Sequence, residues 1–256
     1  MRERVVQLKK GGKIYPIALN LAIGVLALLG VLLACVYATR DGYSTWLRRM
    51  LYFTQQSNLW IAAVSFAFVW VLLRPEVNER HLRMVGLFKY IFTVSITVTG
   101  IIFCALLAPF ADIPMWYLSN VITHVIVPAL AILDFFTDRW ILPIRKREAV
   151  YGLIPPAVWF VFASVLCLLR VDFGRGDPYP YFFMNFYSEA GLFGAQMIPG
   201  ERPQLGSFYW FVLILLVVLG LCYAFYALHA AIWRRREEAE RIENTGHSEE
   251  KNDEAL

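Results

Sequence analysis

Apolar runs recur six times along the chain, each bounded by charge or by Pro and Gly. They predict membrane-crossing helices over residues 14–39, 54–73, 86–108, 116–137, 150–170 and 207–233. Crossing about 30 Å of hydrocarbon takes about 20 helical residues at 1.5 Å each. The second run departs from this pattern. Its uninterrupted apolar part, residues 59–73, is 15 residues long. To cross, that helix must begin in the polar turn Thr54-Gln55-Gln56-Ser57-Asn58, a costly set of side chains to place at a membrane boundary.

The fold class that follows is all-α, a polytopic bundle of six transmembrane helices spanning residues 1–233. Apolar residues make up 59% of the 256, far above the usual share for a soluble domain. Of the 24 Lys and Arg, 18 fall before the first span, in or just past the second loop (Arg74, Arg80, Arg83 and Lys89), in the fourth loop, and in the tail. By the positive-inside rule both termini are expected to be cytoplasmic. The net charge of +4 then needs no nucleic-acid partner, because the excess lies where membrane topology puts it. Residues 234–256 are charge-rich without an apolar face, so they are expected to extend span 6 briefly and then lose structure. The first apolar run is long and lacks a small-x-small cleavage site, which argues against a removable signal. No internal repeat is visible. The four cysteines lie in four different spans without metal-type spacing and read as packing residues; no metal and no cofactor is implied.

Polar residues inside spans need a reason. In span 4, His124 lies about 12 Å in from Trp116, with Asn120 one turn above and Pro128 one turn below on the same face. Pro128 has no N–H, which frees the His124 carbonyl. Asp134 cannot orient that histidine, since ten residues separate the two by about 15 Å of depth and about 80° of rotation. It reads better as an anchor between helices or a partner for basic residues near that end. In span 2, Thr54, Ser57 and Asn58 fall at i, i+3 and i+4 and make one polar stripe. Two readings stand. Thr54 caps the helix while Gln55 to Asn58 bond to other helices, or the stripe faces span 4 as a site. In the second case His124 is a base, Thr54 or Ser57 a nucleophile, and the Gln55, Asn58 and Asn120 amides supporting or oxyanion donors. Counting from the basic ends of the spans puts Thr54 about 7 Å above His124, an obstacle to their meeting.

Loop 1 carries Arg48 and Arg49 beside Trp46, Tyr52 and Phe53, a mixture that suits an interfacial lead-in to span 2. Loop 5, residues 171–206, is too long and too aromatic to float in water and is expected to fold back as a cap over the helix ends. Three segments, YFTQQSNL, SNVITHVIVPALAILD and GRGDPYPYFFMN, together resemble the androgen-induced and androgen-dependent TFPI-regulating proteins and their uncharacterised six-pass bacterial relatives. The resemblance implies an intramembrane hydrolase of fatty acyl esters with Thr54 as nucleophile and His124 as its histidine. It also implies a substrate-facing lid at Tyr179, Pro180, Tyr181 and Asn185, and a bacterial cell membrane as the setting. In animal members the substrates are fatty acid esters of hydroxy fatty acids, so the expected partner is a lipid-like small molecule from the outer leaflet. A related branch is thought to use cysteine, which keeps Cys35, Cys104 and Cys167 in view as nucleophiles. Two other classes remain open at this point: a small-molecule transporter, for which paired broken helices are missing, and a non-catalytic scaffold or sensor acting through loop 5 and the tail.

Overall fold

The computed structural model describes residues 5–7, 12–111, 115–196 and 204–253. It is all-helical apart from short strands, and six of its helices are long and apolar enough to cross a membrane. These are α1 (Ile14–Val36), α3 (Phe53–Leu72), α4 (Glu79–Ile102) with its continuation to Leu107, the α5 (Leu118–Val121) to α6 (Val127–Thr137) unit, α7 (Ile154–Leu168) with its leading turns, and α8 (Ser207–Asp253). A short α2 (Trp46–Arg49) lies before α3. The strands are β1 (Val5–Gln7) paired antiparallel to β2 (Glu76–Asn78), and β3 (Ala195–Gln196) paired antiparallel to β4 (Gln204–Leu205).

Local chemistry sets where these helices begin. Proline occupies the first turn of α7, where a missing N–H costs little. The Asn78 side chain caps α4 by accepting from the Arg80 N–H at 2.8 Å. As the short second run requires, α3 begins at Phe53 and takes the whole polar turn into the helix. α8 does not stop near Trp233 but stays helical through Asp253, past the point where loss of structure was expected. The segment after Trp233 is rich in Arg and Glu, good helix formers, and Glu237 precedes Arg241 at the favourable i, i+4 spacing.

α1, α3, α4 and α6 pack closely into one core, while α7 and α8 join it at one side through α4 and the 3₁₀ segment Lys146–Leu153. Lys13, Arg74, Arg83, Arg145 and Arg236 gather at one end of the bundle, hereafter the basic end. There Lys13 donates to the Arg74 carbonyl at 2.9 Å, and Arg236 donates to the carbonyls of Phe136, Thr137 and Asp138. Loop 5 covers the other end, the loop end, with Phe173, Phe183 and Met184 buried against the helices.

A polar brace ties the core together. Lys89 is fully buried, ion-paired with Asp134 and hydrogen-bonded to Asn20; Asn20 also donates to Asp134 at 2.8 Å, and the Lys89 ammonium lies 4.5 Å from the centre of the Phe68 ring. One side chain each from α1, α4 and α6 therefore converges in the core. Asp134 is an anchor between helices, as its position suggested. Lys89, grouped by sequence with the basic loop residues, is instead its partner inside the bundle.

Removing one member of this brace leaves an uncompensated buried charge. Lys89→Ala should lower stability by about 3–5 kcal/mol, while Lys89→Met combined with Asp134→Leu should recover most of that loss. Thermal unfolding of the purified protein in detergent checks both; a double variant as unstable as the single would contradict the reading.

Candidate active site

Thr54 is the second residue of α3 and its hydroxyl does not cap the helix, so the capping alternative falls. Its Oγ1 lies 3.1 Å from His124 Nε2. The difference in depth expected from the rise count does not keep the two side chains apart.

The backbone around His124 is not regular α-helix. Residues Ile122–Ile126 widen into a π turn, and a second π turn spans Phe103–Leu107, closed by Ala108 N–H donating to the Phe103 carbonyl at 2.8 Å. Such turns are rare and concentrate at functional sites. Here Pro128 supplies the cause for the first: it cannot donate to the His124 carbonyl, so the ladder must re-register. That carbonyl lies against Gly100, where an added Cβ would sit 2.8 Å from it; only glycine lets α4 approach this closely. The two widened turns meet at a ring stack, Phe103 on His124, with centroids 4.0 Å apart and planes 25° apart.

Hydrogen bonding fixes the tautomer. His124 Nδ1 is 3.0 Å from the Asn120 carbonyl oxygen, which can only accept, so Nδ1 carries the proton. Thr123 Oγ1 is also 3.0 Å from Nδ1 but donates its own proton to the Ser119 carbonyl at 2.8 Å. Nε2 is therefore a bare lone pair facing the Thr54 hydroxyl. Asn120 does orient the histidine, through its backbone carbonyl; its amide turns away to donate to the Met115 carbonyl at 2.9 Å. Among the described residues, no carboxylate bonds to the ring.

Ser57 and Asn58 lie behind the pair rather than beside it. Ser57 Oγ contacts the Thr54 carbonyl at 3.1 Å and Thr99 Oγ1 at 2.8 Å, while Asn58 donates to the carbonyls of Thr54 at 2.8 Å and Thr123 at 3.2 Å. They lock α3 to α4 and to the widened turn, and neither amide nor hydroxyl is aimed at the reacting atoms. Their expected places as nucleophile or oxyanion donor give way to positioning.

Thr54 and His124 are 6% and 7% exposed, and what exposure they have is to a chamber of about 440 Å³ at the loop end. Gln55, Asn120, Tyr179, Pro180 and Tyr181 line it as well. Asn185 does not; its side chain accepts from the Tyr187 N–H at 3.1 Å in a local turn. Cys35, Cys104 and Cys167 line neither this chamber nor the apolar slot that adjoins it.

Two arginines in the chamber wall escaped the sequence reading. Arg49 is buried, ion-paired with Asp41 and packed over the Tyr43 ring at 4.2 Å; Arg175 of loop 5 lies over the same ring at 4.7 Å. Buried Arg49 Nε and Gln55 Oε1 have no partner among the described residues, although both residues line the chamber. The signal was present: Arg48 and Arg49 are basic residues in a loop where the positive-inside bias disfavours them.

Loop 5 is seated by Gly174, whose φ of +120° only glycine adopts readily and whose missing side chain leaves room for Tyr43. The lid then brings Tyr181 to Thr54. Its hydroxyl interacts with the Thr54 side chain and with the backbone N–H groups of Phe53 and Thr54. Those N–H groups open α3 and have no carbonyl one turn earlier in the helix, whereas Gln55 and Gln56 N–H both turn to the Tyr52 carbonyl. Burial pushes the Tyr181 phenol up to about 12, against the opposing pull of the Thr54 hydrogen bonds, so it is a neutral O–H at physiological pH.

Comparison with family models, curated proteins and solved structures gives no match to this chain.

The tautomer is directly observable. Two-bond ¹H–¹⁵N spectra should show His124 neutral, protonated at Nδ1, and still so in Thr54→Val, because the Asn120 carbonyl sets it. Gly100→Ala should disturb those resonances. An Nε2-protonated ring in the native protein would contradict the assignment.

Proposed function

We propose that this chain is an intramembrane acyl hydrolase acting on a lipid-like ester. The observation that carries the proposal is the 3.1 Å contact between the Thr54 hydroxyl and the bare Nε2 of His124 at the wall of a chamber. A hydroxyl in contact with an oriented, unprotonated imidazole is the arrangement that nucleophilic acyl transfer needs. The resemblance to the androgen-induced and androgen-dependent TFPI-regulating family points to the same two residues and the same chemistry.

The steps balance as an ester hydrolysis. Thr54 Oγ attacks the ester carbonyl while its proton passes to His124 Nε2. The resulting oxyanion faces the N–H groups of Phe53 and Thr54 at the positive end of α3, with the neutral Tyr181 hydroxyl as a further donor beside them. Collapse expels the alcohol, which takes the proton from His124. Water, deprotonated by the same nitrogen, then attacks the acyl-threonine; the carboxylic acid leaves and Thr54 is restored. During both steps the Asn120 carbonyl supports the imidazolium that forms, in the place a carboxylate holds in a triad.

Arg49, which is ion-paired with Asp41, lines the chamber together with Arg175 and Asp177, a polar end that suits the headgroup side of an ester. With both termini assigned to the cytoplasm from the basic residues, the chamber lies at the outer leaflet of what we take to be a bacterial cell membrane. The transporter and scaffold readings have no comparable observation in their favour.

Fluorophosphonate labelling in detergent, with thermal unfolding as control, tests the proposal. Labelling should be lost in Thr54→Ala and His124→Ala and kept in Ser57→Ala. Tyr181→Phe should slow it on the order of 10²-fold without loss of fold, the usual effect of removing one oxyanion donor. Equal labelling of all variants would overturn it.

A further inference from the structure

Thr54 lines two cavities. Besides the polar chamber it forms one end of a narrow apolar slot of about 100 Å³, and only Leu107 and Tyr181 share the boundary with it. The slot runs from Thr54 toward the bundle interior between α4, α7 and α8. Phe211, Ile214, Leu215 and Val218 of α8 follow one another down one wall over about 10 Å. Ala157 and Phe160 of α7 face them.

Its sides are unusual for a helix bundle. α7 packs on α4 and on its own leading turns, and α8 on the Lys146–Leu153 segment, on α4 and on loop 5, whereas α7 and α8 share at most slight backbone contact. One ring pair among the described residues reaches across between them, Phe160 and Phe211, with centroids 4.6 Å apart and planes at 36°. Both rings are part-buried, and their neighbours Val161 and Leu213 are exposed on the apolar outer surface.

We infer that this slot is the acyl-chain subsite, open to the bilayer between α7 and α8 through a portal that Phe160 and Phe211 close. The inference rests on the acyl-hydrolase reading for the position of the reacting carbonyl. Its occupant is a hydrocarbon chain, on three grounds. Apart from Thr54, Thr99 and Tyr181, every side chain lining the slot is aliphatic or a non-phenolic aromatic. The hydroxyl that takes the acyl group stands at its end. And what surrounds a gap between two membrane helices is lipid tails, so a chain can slide in sideways with no polar group leaving water. The slot encloses only the stretch of chain next to the carbonyl; the rest passes between the two rings into the bilayer. The ester is thereby held with its chain in the slot and its polar part in the arginine-lined chamber, and Ala157, Phe160, Phe211 and Leu215 set which chains fit.

The experiment compares ethyl and dodecyl fluorophosphonate, whose phosphorus bonds to Thr54 Oγ as fluoride leaves and the hydroxyl proton passes to His124, on the native protein, Ala157→Phe, Leu215→Phe and Phe211→Ala in nanodiscs. Filling the slot from either wall should cut dodecyl labelling at least tenfold and leave ethyl labelling within twofold, and Phe211→Ala should speed dodecyl labelling severalfold. Two walls are probed so that a variant that fails to fold, seen by thermal unfolding, does not decide the matter. If both probes fall together, or neither does, in folded variants, the subsite is overturned while the hydrolase reading stands. If the native protein reacts with neither probe, the hydrolase reading fails, and a diazirine-bearing palmitate decides the slot separately. Cross-links at Ala157, Phe160 or Leu215 keep it as a hydrocarbon site, and cross-links elsewhere only overturn it.

Discussion

Inside a bilayer no water is at hand, so every buried polar group must find a partner within the protein or be borne at a cost of several kcal/mol. That constraint orders this molecule. The ammonium of Lys89 is tolerated because Asp134 and Asn20 enclose it, and by enclosing it they fix three helices against one another. Along α4, Ser95, Thr97 and Thr99 turn their hydroxyls back onto carbonyls one turn earlier, so none of the three is left without an acceptor. In the polar turn that α3 carries into the bundle, the Ser57 hydroxyl and the Asn58 amide N–H groups find acceptors, while Gln55 Oε1 and Asn58 Oδ1 have no partner among the described residues. Ser57 and Asn58 serve the Thr54 carbonyl and the widened turn, which leaves the Thr54 hydroxyl free to meet an imidazole.

The same principle explains how the Thr54–His124 pair is oriented without a carboxylate. Besides the two side chains, the pair needs one acceptor aimed at Nδ1, and a helix carbonyl one turn earlier can take a second donor, as the α4 carbonyls do for Ser95, Thr97 and Thr99. The Asn120 carbonyl, one turn before His124 and just ahead of the π turn, meets the ring in that way. A second break in the neighbouring helix, at Phe103–Leu107, brings an aromatic ring flat against the imidazole from the other side. A neutral orienting group avoids placing another charge in hydrocarbon, which suits a reaction carried out at membrane depth.

The helices were legible because hydrophobic length is a strong signal, and Thr54, His124 and Pro128 because polar or helix-breaking residues inside a span are conspicuous. Asn120 was found by helical position, although the group that acts is its carbonyl, which no side-chain pattern reports. The π turns were not legible, and a simple rise count set Thr54 and His124 too far apart. Lys89 was hidden by its nearness to a basic loop, and Arg49 by the aromatic company that made it read as interfacial. Asn185 shared a motif with the lid yet turns into a local bend, because sequence adjacency in a loop says little about which side chains face a cavity.

The central claim is that Thr54 becomes acylated through His124. Acid-quenched digests of protein mixed for milliseconds with a long-chain ester, read by mass spectrometry, test it most directly. The account expects the acyl mass on Thr54, absent in His124→Ala; an adduct on Ser57 or a cysteine, or steady ester hydrolysis by Thr54→Ala, would contradict it.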